Sequence, residues 1–81
     1  MGYHKRQIKK GILGSQSKIH EEYEEFLDAV EQNNYVMELV ELSDLLGAID
    51  AYTTGTYNIG LEDLMIMTRA TQSAFMDGSR K

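Results

Sequence analysis

Eighty-one residues with thirteen acids, eight Lys or Arg, a net charge of −5 and neither cysteine nor proline describe one small domain. The absence of cysteine excludes disulfide scaffolds and cysteine nucleophiles, and no apolar run approaches the ~18 residues that span a bilayer. A chain this short buries only about 60–65% of its unfolded surface and is marginal alone.

The charge is unevenly spread. Residues 1–18 hold Lys5, Arg6, Lys9, Lys10 and Lys18 and no acid, whereas all the acids fall in 19–81 with Arg69, Arg80 and Lys81. The acidic body should not attract nucleic acid. Residues 1–16 read as a short basic N-terminal arm, extended because Gly11 and Gly14 punctuate it and no apolar stripe forms. Such an arm meets phosphates, folds back onto the acids, or is simply solvated. Met1–Arg6 has no apolar signal region, so a cytoplasmic protein is expected.

Residues 17–81 read as an all-α domain of three main helices. The first is expected over 18–32, with Ser17 as N-cap and Ile19, Tyr23, Phe26, Leu27 and Val30 at helical spacing. Glu21, Glu24, Asp28 and Glu31 fall on its opposite, solvent side. Glu22 lies about 70° from the apolar centre at roughly 100° per residue, so it flanks the buried seam, with Glu25 further round. Gln32-Asn33-Asn34 is a polar turn. The second helix is expected from Tyr35 to Tyr52, with Leu39, Leu42, Leu46 and Ile49 on one side and Met37, Val40, Ala48 and Ala51 on the other. A helix apolar nearly all round is covered on several sides, and a partner subunit is the expected second cover, giving a homodimer or homotetramer. Residues 53–60 read as a loop, with Gly55 and Gly60 as breakers. A third helix should run from Leu61 to about Asp77, with Gly60 as cap and Gly78 as stop.

The chemistry lies in two acidic clusters. Glu21-Glu22-Tyr23-Glu24-Glu25 contains E-x-x-E in Glu22 and Glu25, and Glu41-Leu42-Ser43-Asp44 contains E-x-x-D. Residues three apart share a helix face, so two packed helices can aim four carboxylates into one space. The first cluster taken alone reads as an exposed acidic face, as most charge runs do. The second is more telling, because ionised carboxylates in an apolar helix are costly unless paired or metal-bound. Residues 19–68 contain no Lys or Arg, so either the arm or a cation supplies the counter-charge. Oxygen ligands of this kind suit hard divalent ions. A His-Glu-x-x-His zinc site fails, because Glu24 stands where the second histidine belongs, and the Glu-x-x-His pairs of di-iron bundles are absent. Tyr52 and Tyr57, and Met65, Met67 and Met76, read as packing residues.

E-E-x-x-E followed by E-x-x-D resembles the MazG-like superfamily of all-α nucleoside triphosphate pyrophosphohydrolases. The likeness covers about residues 17–52, and the words Lys18-Ile19-His20-Glu21-Glu22 and Glu41-Leu42-Ser43-Asp44-Leu45-Leu46 strengthen it. In length the chain is similar to small phage-encoded members. The resemblance implies Mg²⁺-dependent cleavage, with Mn²⁺ as an alternative ion, of a nucleotide substrate to its monophosphate and pyrophosphate. It implies Glu22, Glu25, Glu41 and Asp44 as metal ligands and Glu21 as the catalytic residue that orients or deprotonates water. Lys18, Arg69 and Arg80 are the candidate substrate-binding cations. Two departures stand out: only the basic arm precedes the E-E-x-x-E helix, and the last helix offers only Arg69 and Gln72 for phosphate or base. The alternative is a small helical interaction or regulatory protein that keeps this fold with weak or no turnover.

Overall fold

A computed structural model describes residues 5–78. They form three helices, α1 (Gln16–Glu31), α2 (Tyr35–Tyr57) and α3 (Leu61–Met76), with no strand among them. The expected all-α class is therefore present. No helix among these residues is long and apolar enough to cross a membrane. Arg80 and Lys81 lie outside the described residues.

Each helix boundary has a local chemical cause. Ser15, not Ser17, caps α1: Gly14 at φ +94° turns the chain, and the Ser15 hydroxyl accepts the Ser17 N–H. Ser17 instead accepts the Ile12 N–H at 3.0 Å, so it ties the preceding segment down. At the far end Asn33 takes the left-handed conformation (φ 56°), and the Asn34 side chain accepts the Met37 N–H at 3.1 Å. This three-residue reversal folds α1 and α2 into an antiparallel hairpin. The Gln16 amide, at the start of α1, donates to the Tyr52 hydroxyl late in α2, as that arrangement requires.

The loop expected over 53–60 is mostly helix. α2 continues through Gly55 to Tyr57, and Asn58 ends it in the left-handed conformation at φ 58°. One glycine inside a helix costs only about 1 kcal/mol, and an αL asparagine is a stronger stop. Gly60 caps α3 as expected but has no side chain to accept a hydrogen bond. Asp50 of α2 fills that role, accepting the Leu61 N–H at 2.8 Å. A carboxylate of α2 thus fixes where α3 begins.

Packing is uneven. α1 lies along α2, while α3 touches α2 and not α1. Among the described residues the only buried apolar side chains are Ala29 and Ala48, whereas sixteen large apolar ones are exposed. The most buried large side chains are instead Glu21, Asp28 and Glu41. The placement of Glu21 and Asp28 on a solvent face is therefore corrected. Residues 5–12, which carry no regular secondary structure, run along that face of α1 and cover it. Asp28 receives the Lys5 and Arg6 backbone N–H groups at 3.2 Å and the Gln32 amide at 2.9 Å. Arg6 then clasps Glu24 and Glu31 on the outside.

Candidate metal centre

Glu21, Glu22 and Glu25 project from the middle of α1, and Glu41 and Asp44 from the first half of α2. The hairpin brings the two sets together. Carboxylate oxygens of Glu22, Glu41 and Asp44 lie within 4.8 Å of one another, as do those of Glu21, Glu22 and Glu25. Glu22 belongs to both groups and joins the two helices. Oxygens sharing one hard cation sit no further apart than twice the metal–oxygen distance, or roughly 4–5 Å. The donor set is all oxygen, which fits Mg²⁺, Mn²⁺ or Ca²⁺ and not a soft metal.

The acids line a cavity of about 540 Å³ together with Lys10, Lys18 and Ser43. Asp44 is exposed at its rim, whereas Glu41 is fully buried and not part of the lining. Glu41 thus lies deeper, between the helices, and among the described residues its Oε1 accepts no hydrogen bond. Gly47 and Ala48 also face the cavity, and small residues one turn beyond Asp44 leave it open. The i, i+3 spacing of Glu41 and Asp44 is what places one carboxylate deep and the next at the opening.

Two lysines bring positive charge to the acids. Lys18 Nζ stands 3.1 Å from Glu21 and 3.2 Å from Glu22, one turn away on α1. Its hydrogen bond to Glu21 raises its pKa above the usual lysine value, against the opposing effect of burial. Lys10 comes from the segment before α1 and reaches Glu21 at 3.6 Å. Glu21 also accepts the Gly11 N–H at 2.8 Å. Burial pushes the Glu21 carboxyl up, yet the Gly11 N–H, a hydrogen bond with Glu25 and the Lys18 ammonium outweigh it. The resulting pKa is about 2, against an ordinary 4.5.

That shift has a consequence for stability. A carboxyl whose pKa is lower folded than unfolded stabilises the fold above its unfolded pKa and loses that contribution as pH falls through its folded one. In metal-free protein, the Glu21 contribution should be intact above about pH 4.5 and vanish toward pH 2. Urea melts at successive pH values check this. Glu21→Gln should flatten the acid limb, and an unchanged limb would show that Glu21 does not cause it.

The structure thus brings together Glu21, Glu22, Glu25, Glu41, Asp44 and Lys18. It does not bring in Arg69, which lies exposed on α3 and lines no part of the cavity. Sequence reasoning missed Lys10 and Gly11 as parts of the site. Their signal was the pairing of a basic run with a glycine: a Cβ on Gly11 would fall 2.3 Å from the Ser17 carbonyl oxygen, so only glycine permits this close approach. The fold and the site together define an all-helical protein with a carboxylate cluster held between two helices. Comparison with protein-family models, curated proteins and solved structures returns no match.

Proposed function

We propose that the cavity between α1 and α2 holds Mg²⁺ or Mn²⁺ through Glu22, Glu25, Glu41 and Asp44. Around it the protein hydrolyses a (deoxy)nucleoside triphosphate, or a related nucleotide, to the monophosphate and pyrophosphate. The observation that carries this reading is the meeting of Glu22 with Glu41 and Asp44 from the facing helix, within the span of one cation. The resemblance of the two acidic motifs to the MazG-like superfamily supports the same reading.

A bound divalent ion would neutralise phosphate charge, position the attacking water and stabilise the leaving group. The chain's own residues divide the remaining work. Lys18, already between Glu21 and Glu22, can turn its ammonium to a phosphate oxygen once a cation meets those acids. Glu21, with its pKa near 2, is a weak proton acceptor at neutral pH. Its role is to accept a hydrogen bond and orient the water. Arg69 sits on a helix that does not touch α1, so its route to a substrate is through a second copy of the chain. We propose a homo-oligomer for that reason and for the exposed apolar surface of α2 and α3.

One observation favours a second reading, a helical interaction protein without turnover. Lys10 and Lys18 already pair with Glu21 and Glu22, and such pairing supplies counter-charge without a metal. Turnover in ¹⁸O-labelled water separates the two. The enzyme reading expects Mg²⁺-dependent release of pyrophosphate, with the label in the monophosphate because attack is at the α-phosphorus. Orthophosphate release would sink the assignment, and no turnover of any ribo- or deoxyribonucleoside triphosphate would leave the interaction reading.

A further inference from the structure

A second cavity, of about 360 Å³, adjoins the acid-lined one. Its walls are Lys9, Lys10, Gln16, Ser17 and His20, and Lys10 also lines the first cavity. No carboxylate is among these walls. In a chain of net charge −5 this is a local reversal of sign. Lys9 makes no ion pair among the described residues, and Lys10 makes a single long one, 3.6 Å to Glu21. The two ammonium groups therefore keep most of their capacity to meet an anion.

The backbone that carries the lysines is also anchored on both sides. Gly11, the next residue, donates its N–H to Glu21, and Ile12 donates to Ser17. Further back, Lys5 and Arg6 donate to Asp28. These bonds hold Lys9 and Lys10 over the start of α1 beside His20, where a flexible arm would spread them through solvent. Pre-organised donors lose less entropy on binding than free ones.

We infer that Lys9, Lys10 and His20 form an anion subsite for the outer phosphates of a polyphosphate ligand whose inner phosphate lies at the acid cavity. The inference rests on the proposed nucleotide reading and adds to it the part of the chain that grips the phosphate tail. Lys10, shared by both cavities, stands at the join between the acid-held and the lysine-held parts of the ligand. The two lysines supply point charges, and the His20 ring and Gln16 amide supply N–H donors.

Calorimetric binding of inorganic pyrophosphate tests the subsite without requiring turnover. Wild-type protein should bind pyrophosphate, and Lys9→Gln/Lys10→Gln should bind it at least roughly tenfold more weakly, the cost of about one charge-assisted hydrogen bond. Mg²⁺ affinity in the same variant should be unchanged or higher. Lys5→Glu changes the net charge by the same two units at a residue that lines neither cavity, and should leave pyrophosphate affinity nearly intact. Gly11→Ala keeps both lysines but displaces the backbone that places them, so it should weaken binding too. Circular dichroism checks that each variant keeps its helices. No pyrophosphate binding by wild type, full affinity in Lys9→Gln/Lys10→Gln or in Gly11→Ala, or equal loss in Lys5→Glu overturns the subsite. Failure of the enzyme reading shows separately, as pyrophosphate bound by the lysines with no turnover of any nucleotide.

Discussion

Glu41→Gln/Asp44→Asn should abolish specific Mg²⁺ and Mn²⁺ binding while leaving the three helices in place. Glu41 is fully buried between α1 and α2, and Asp44 is exposed at the cavity mouth. Amides keep the size of both side chains and remove the charge that attracts the ion. Loss of even a supporting contact to a metal ligand typically costs 10–100-fold in affinity, so loss of two ligands should cost on the order of 100-fold or more. Stability should move in opposite directions in the two proteins. Without metal the variant should melt higher, because the repulsion between Glu22, Glu41 and Asp44 is relieved. With metal at about 100 times its Kd, wild type should gain about 2.7 kcal/mol. In a domain of this size that is a Tm rise of more than about 10 °C. The variant should gain almost nothing. Titration calorimetry and thermal melts decide the point, and equal metal affinity in the two proteins would show that the ion does not sit at these acids.

The parts of this molecule that were legible in the sequence are those set by local spacing. Three helices follow from periodicity, and Gly60, Gly78 and the Gln32–Asn34 turn mark their ends by backbone chemistry that needs no tertiary context. The convergence of Glu22 with Glu41 and Asp44 was legible too, because a three-residue turn forces α1 and α2 to lie side by side. The end of α2 was not legible. Gly55 is a breaker by propensity, but Asp50 and Asn58 together decide the outcome from either side of it. The burial of Glu21 and Asp28 was hidden for a different reason. A helical wheel places both on the solvent side, and nothing in their spacing shows that a segment without secondary structure will satisfy them with its own N–H groups. Lys10 was missed with it, since its position depends on the Gly11 contact.

Under sedimentation at micromolar concentration the protein should run as a dimer or tetramer, with no folded monomer. The reason lies in surface area. A compact 9.2 kDa monomer should expose about 4,900 Å². This chain exposes 6090 Å², an excess of roughly 1,200 Å² over that scaling. Its radius of gyration, 14.5 Å, likewise exceeds the about 12 Å expected for this length. The excess is more than the ~800 Å² that each partner buries in a standard interface. It is also apolar: Val36 and Leu39 of α2 and Ile66 and Met76 of α3 are each at least 65% exposed. A second copy is the occupant that meets every molecule at the same concentration and presents the same apolar helices in return. Leu39→Glu/Leu46→Glu places charges one heptad apart on that face of α2. With Ala29 and Ala48 the only buried apolar side chains among the described residues, the variant should lose its cooperative thermal transition as it loses the oligomer. The two losses should coincide when followed by circular dichroism and by sedimentation of the same samples. A wild-type monomer with a sharp melt would refute the assembly. It would also remove the proposed route of Arg69 to a substrate, because among the described helices α3 meets α2 and not α1.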